Sequence, residues 1–150
     1  FTQIDTEVCC VYPPHFVGPE RLAVLHRKKR AKGVKEMPNF FAAMQAVNQP
    51  LEPVFCGGSQ RALQEREQWA SACNFFSVRP GVALSYARNE ATLTELDHAG
   101  FRIISAVNLL TGEESLEEGE RGVITMEGSE LVRGGGGPRC MTLPLRRDDL

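Results

Sequence analysis

The chain reads as an α+β protein, and three observations carry that assignment. Short runs rich in Val, Phe and Tyr are bounded by Pro and Gly. Segments with apolar residues at helical spacing lie between some of these runs. The resulting order is strand, helix, strand, strand, helix, strand, which fits an α+β layer better than a continuous parallel sheet. With 150 residues, 42% hydrophobic and 24% charged, the chain has the composition of one ordinary globular domain and can build a real core.

Taken in order, Glu7 to Tyr12 is rich in Val and Cys and is stopped by Pro13-Pro14, so it reads as a buried strand ending in a turn. Pro19 suits the first turn of a helix running through Leu22, Leu25 and the basic cluster to about Lys32, where Gly33 ends it. Asn39 is placed to cap a second helix whose apolar face is Phe40, Phe41, Met44 and Val47. After Pro50 and Pro53, Val54 to Cys56 reads as a small strand closed by Gly57-Gly58.

A polar helix containing Glu65-Arg66-Glu67-Gln68-Trp69 follows. Its two carboxylates, at i and i+2, do not share a face, so Trp69 is expected to pack inward and the charges to meet solvent or neighbouring parts of the protein. Phe75 to Arg79 and Val82 to Tyr86 flank Pro80-Gly81, a dipeptide suited to a tight turn. Asn89 caps the next helix, with Ala91, Leu93 and Leu96 on its apolar side, His98 in its last turn and Gly100 at the left-handed exit. Phe101 to Val107 returns as a strand. Thr111 to Arg121 is acidic and reads as an exposed loop, Val123 to Met126 as a strand, and Met141 to Leu145 as a final buried strand.

Several function classes are excluded by composition. A net charge of -2 gives no general attraction to nucleic acid or anionic membranes. The run His26-Arg27-Lys28-Lys29-Arg30-Ala31-Lys32 carries no interleaved aromatics and reads as a solvated helix end. No stretch approaches the roughly 20 apolar residues that cross a bilayer. Five cysteines, Cys9, Cys10, Cys56, Cys73 and Cys140, show no paired spacing, which argues against a disulfide framework and for a reducing, cytoplasmic setting. Zinc spacing is absent, so no metal is expected. Because Phe1 opens as if in mid-segment, an upstream portion is expected to be missing.

The chemistry concentrates in Arg133-Gly134-Gly135-Gly136-Gly137-Pro138-Arg139-Cys140-Met141-Thr142. Four glycines clear side chains from one side of a loop and allow close approach to its backbone. A cysteine at the start of a strand would then be held at a cleft mouth, next to backbone amides and the Arg139 cation, which favour the thiolate. The residues alone leave a second reading level with this one: Cys140 as a buried core thiol.

The segment from Gly134 through Cys140, Met141 and Thr142 to Asp148 closely resembles the C-terminal active-site motif of arginine deiminases. Two further blocks resemble that family in the same order. Phe1-Thr2-Gln3-Ile4-Asp5 is similar to the strand after its His-x-Asp motif. The middle block is matched by Glu65-Arg66-Glu67-Gln68-Trp69, Pro80-Gly81-Val82 and Tyr86-Ala87-Arg88-Asn89.

The resemblance implies a pentein fold, a five-bladed α/β propeller of ββαβ repeats, of which residues 1 to 150 are the C-terminal portion holding about the last two blades. It implies hydrolysis of L-arginine to L-citrulline and ammonia through a covalent amidino-thioether, without metal or organic cofactor. Cys140 matches the nucleophile, and Gly134 and Gly135 fall in the loop whose backbone lines the substrate pocket. The unbroken glycine run, Arg139 before the cysteine, and the acidic insertion at residues 113 to 120 depart from the usual pattern.

The family's catalytic histidine and aspartate would lie just before Phe1, and its other guanidinium-binding carboxylates further upstream. His15, His26 and His98 match none of the catalytic positions and read as surface residues. The isolated chain is therefore expected to be inactive, and to associate with the missing N-terminal part or with itself. Rival readings are another guanidine-modifying pentein, such as an amidinotransferase or dimethylarginase, or a non-catalytic module of the same fold.

Overall fold

The computed structural model describes residues 1–146, so Arg147 and Asp148, the end of the family-like motif, lie outside the described residues. Strand β1 (Thr2–Gln3) pairs antiparallel with β2 (Val8–Val11). A short helix, α1 (Pro13–Phe16), then leads to a hairpin of β3 (Val24–His26) and β4 (Lys35–Met37). Helix α2 (Phe40–Ala46) crosses over to β5 (Glu52–Phe55), which pairs parallel with β2.

Helix α3 (Arg61–Trp69) connects to a second sheet. Its strands β6 (Phe76–Arg79) and β7 (Val82–Tyr86) form the expected hairpin around Pro80-Gly81, with Gly81 at φ +78°. Helix α4 (Glu90–His98), strand β8 (Arg102–Ser105), helix α5 (Ala106–Thr111) and strand β9 (Gly122–Met126) follow. The spatial order is β6-β7-β9-β8, with β9 parallel to both neighbours. Both larger sheets thus open with an antiparallel pair and add parallel strands reached through helices, an α+β arrangement with no closed barrel among the described residues.

The two sheets share a core. Ile4, Val8, Cys10, Val54 and Cys56 from the first side pack in one buried cluster with Phe75, Ala83, Leu93, Leu96, Phe101 and Val123 from the second. Asp5 meets Arg121 at 2.6 Å across the join, and the Gly81 amide donates to the Ile4 carbonyl at 3.0 Å. A smaller aromatic cluster forms where α2 covers the first sheet, with Phe40 5.3 Å from Phe1 and 5.4 Å from Phe16 between ring centres.

Phe101 to Val107 is not one strand, since β8 ends at Ser105 and α5 begins at Ala106, and three larger expectations are corrected. There is no helix from Pro19 to Lys32; Val24 to His26 forms β3, and the basic residues sit in the connection to β4, with Arg30 at φ +66°. A helix there would stack like charges at i, i+3 and i+4. It would also have nothing to bury, since Leu22 and Leu25 are each 62% exposed, and helices take most of their stability from a buried face. The hairpin instead places the cations in solvent.

The final strand at Met141 to Leu145 is also absent. Residues 138–141 form a 3-10 turn, Leu143 and Leu145 are exposed, and Pro144 removes a ladder donor.

The third correction inverts α3. Trp69 is 88% exposed, whereas Glu67 is fully buried. The inward stripe of this helix is Gln64 and Glu67, and it is polar. Gln64 Nε2 donates to the Gly58 carbonyl at 2.7 Å. The Glu67 carboxylate accepts from the Ala91 amide at 3.0 Å, the Thr92 amide at 2.8 Å and the Thr92 hydroxyl at 2.6 Å. Arg66 adds a contact of 2.8 Å.

Ala91 and Thr92 are the second and third residues of α4, so Glu67 satisfies from another helix the amides that an N-cap side chain would take. Asn89, at the N-cap position, makes no such bond and donates to the Ala70 carbonyl at 3.2 Å instead. A carboxylate at a helix N-terminus also complements the helix dipole.

Replacing Glu67 by Ala leaves the Ala91 and Thr92 amides and the Thr92 hydroxyl proton without the acceptor they share. The expected loss is about 3–5 kcal/mol of stability, read as a fall in the chemical denaturation midpoint; Glu65→Ala, on the exposed side of the same helix, should move it by less than about 0.5 kcal/mol.

Candidate functional site

The site is built where two distant stretches meet. One is the turn after α3. Ser71, at φ +62°, reverses the chain, and the Asn74 amide donates to the Ser71 carbonyl at 2.9 Å. Asn74 emerges half-buried, between buried Cys73 and Phe75.

The other stretch is the glycine run. A 3-10 turn at Leu131–Gly134 leads through Gly135 (φ +79°) and Gly136 (φ +87°) to the second 3-10 turn at Pro138–Met141, which carries Cys140. Cys140 is therefore on a turn rather than at the start of a strand. Below it lies Tyr86, buried, its ring so close to Gly128 that a Cβ there would overlap it, and its hydroxyl 4.0 Å from Met141 Sδ.

The four glycines do different work. A Cβ on Gly136 would lie 2.9 Å from Cys140 Cβ, and one on Gly137 would lie 2.7 Å from the Asn74 carbonyl oxygen. These two residues let the loop fold onto the thiol and onto Asn74. Gly134 and Gly135 are exposed, with nothing within 4 Å of a Cβ, and leave clear space beside the loop backbone.

Cys140 is exposed, and its contacts favour ionisation. Asn74 Nδ2 donates to Sγ at 2.9 Å, and the Cys140 amide donates to Asn74 Oδ1 at 3.2 Å and to the Gly137 carbonyl at 3.0 Å. The Asn74 amide first and the Gly137 backbone next hold the thiol below its ordinary ionisation range; burial opposes them, and the Arg139 cation adds a weaker favourable effect.

The other cysteines are buried. Burial pushes Cys9 up to about 11. Cys56 is raised by its contact with Cys73 and by burial, and Cys73 by its contact with Cys10. Cys140 alone among the described thiols is both accessible and shifted toward thiolate.

An open groove of about 1040 Å³ runs beside Arg139, between the β1 segment and β6, and is lined also by Asp5, Arg79 and Arg146. A second hollow, about 400 Å³, lies against α2 and holds no nucleophile.

The histidines are elsewhere. His15 and His98 are exposed, His15 edge-on to Tyr12 at 5.0 Å, and His26 lies half-buried in β3 rather than in a helix. None has a hydrogen bond to Cys140 among the described residues. Nor, among these residues, is any group of three or more His, Cys, Asp and Glu side chains placed to hold a metal ion, and no helix is long and apolar enough to cross a membrane.

Sequence reasoning singled out Cys140, Gly134 and Gly135, which the fold gathers in one loop. It missed Asn74. An Asn between two apolar residues signals a turn, but its partner lies 66 positions away and nothing local announces it.

Fold and site together define a mixed α+β unit that presents one exposed, hydrogen-bonded thiol on a glycine loop. The chain belongs to the arginine deiminase family, whose profile matches residues 1–147. It is 32% identical to the arginine deiminase of Streptococcus uberis over 154 aligned positions, 32% to that of Mycoplasma capricolum subsp. capricolum over 152, and 30% to that of Streptococcus equi subsp. zooepidemicus over 153. Each alignment covers the whole chain and 32% of the relative, so the chain spans about a third of the length of the curated relatives it matches.

Three outcomes are expected here. Iodoacetamide should modify Cys140 ahead of the four buried cysteines, as read by peptide mass mapping. Because the reactive form is the thiolate, that rate should fall as pH drops through the lowered Cys140 transition and level off above it. Gly137→Ala should cost about 1–3 kcal/mol, since the new Cβ meets backbone that cannot swing away, with a lower thermal midpoint as the check.

Proposed function

We propose that this chain is the C-terminal portion of an arginine deiminase of the pentein superfamily, contributing about two of five ββαβ blades and the nucleophile Cys140. The single observation carrying this reading is the exposed thiol at 2.9 Å from a neutral amide donor, on a loop whose glycines keep side chains away. The family membership supports guanidinium as the target. The β1-β2-β5 and β6-β7-β9-β8 sheets, each beginning with an antiparallel pair and continuing with parallel strands, support the repeat assignment.

In this mechanism the Cys140 thiolate attacks the guanidinium carbon of L-arginine and forms a C–S bond. A terminal C–N bond breaks as the departing nitrogen takes a proton and leaves as ammonia. Water then adds to the amidino carbon, the C–S bond breaks, and L-citrulline departs with the thiolate restored. The backbone of Gly134 and Gly135 lines the approach. The acid and base for these proton transfers, and the carboxylates that grip the cation, are assigned to the part of the relatives' length that this chain does not span. No metal or organic cofactor enters, and the setting is cytoplasmic.

The exposed side chain of Val78, on edge strand β6, and that of Phe1 beside β1 support association with the preceding part of the protein or with a second copy.

A polypeptide that also carries the residues preceding Phe1 should form citrulline from arginine, and Cys140→Ser should lower that rate by at least about a thousandfold. The 150-residue chain alone should form none. Citrulline formation that survives Cys140→Ser would sink the proposal. So would a requirement for an amine acceptor, the mark of an amidinotransferase.

A further inference from the structure

We infer that Asn74 is the positioning residue for Cys140, its carboxamide clamping the loop amide of residue 140 with one arm and the sulfur with the other so that the thiol faces an electrophile in one fixed direction. The inference rests on the thiol attack proposed above and names a residue for it that lies 66 positions from the nucleophile.

The geometry is that of a clamp. Both polar atoms of the Asn74 side chain are spent on the same residue, Oδ1 on the Cys140 amide at 3.2 Å and Nδ2 on Sγ at 2.9 Å. The Asn74 backbone carbonyl accepts from the Arg139 amide at 3.5 Å, and the loop closes on Asn74 so tightly that a Cβ on Gly137 would lie 2.8 Å from Asn74 Cβ. Asn74 is itself anchored by the Ser71 carbonyl and by buried neighbours, Cys73 7% and Phe75 1% exposed. A rigid part of the core thus reaches out to hold an exposed loop.

A carboxamide suits this role. Its N–H stabilises a sulfur anion, yet it takes no proton, so Asn74 orients the nucleophile without acting as its base. Arg139 adds a favourable charge, but from an exposed side chain whose influence water and salt screen.

The test is the pH profile of Cys140 alkylation by iodoacetamide in the 150-residue chain, scanned from about pH 6 to about pH 10, on both sides of the ordinary thiol value. Asn74→Ala should move the rising limb to higher pH, lowering the rate near neutrality about three- to tenfold while converging with the parent at high pH. Asn74→Asp keeps the shape and the acceptor for the Cys140 amide but sets a negative charge against the sulfur, and should lower the neutral rate further with little change in thermal midpoint. Profiles of both variants superimposing on the parent overturn the inference.

A readout on the unsubstituted chain does not depend on either variant folding: the Asn74 side-chain NH2 resonances should shift with pH in step with Cys140 ionisation, and resonances that stay still overturn it as well. Shifted profiles, with no citrulline formed by the longer polypeptide that also carries the residues preceding Phe1, leave this inference standing and sink the deiminase proposal. Cys140-dependent citrulline formation with unmoved profiles does the reverse.

Discussion

The arrangement depends on one buried carboxylate. Glu67 reaches from α3 to the first turn of α4 and takes two backbone amides and a hydroxyl there. Thr92, once fixed by that bond, accepts from the Gly57 amide at 2.9 Å, and Gly57 is at φ +71°, where a Cβ would lie 2.4 Å from the Gln64 backbone. The end of β5, helix α3 and the start of α4 are therefore tied by a polar knot in addition to the apolar packing of Val54, Leu93 and Leu96. Such a knot is useful only when complete, because each unpaired member in a low-dielectric interior is costly.

That knot reaches the thiol by a short covalent route. Glu67 fixes α3, the Glu67 carbonyl receives the Ala72 amide at 2.9 Å in the turn that follows, and two residues later Asn74 meets Cys140. The glycine loop has little holding power of its own: residues 134 and 135 touch nothing at their open side. The rigidity of the site comes from the core side of the contact, and the openness from the loop side. A nucleophile that must meet a planar cation and then a water molecule benefits from both.

Much of the fold was legible in local sequence. Asn39 caps α2 as its position suggests, its side chain accepting from the Ala42 amide at 2.8 Å, and Gly100 takes the left-handed exit of α4 at φ +83°. The β6–β7 hairpin followed from Pro80-Gly81. What failed did so for identifiable reasons. Residues 19 to 32 show helical spacing but have no core to face, so local pattern lost to tertiary context. In α3 the buried stripe is Gln64 and Glu67, and a search for apolar periodicity points to the wrong side. Phe101 to Val107 was read as one strand, but the Ser105 side chain accepts from the Val107 amide at 3.2 Å and starts α5. At the site, the loop and its thiol were readable because their composition is unusual, whereas Asn74 is an ordinary residue whose role exists only in three dimensions.

The outward turn of Trp69 has an optical corollary. It is the sole indole in the chain, and at 88% exposure it already emits from water. Denaturation changes its surroundings little, so the usual ultraviolet emission signal is nearly blind to the loss of this structure. Circular dichroism, or absorbance of Tyr86 as it leaves its buried seat, reports the transition instead.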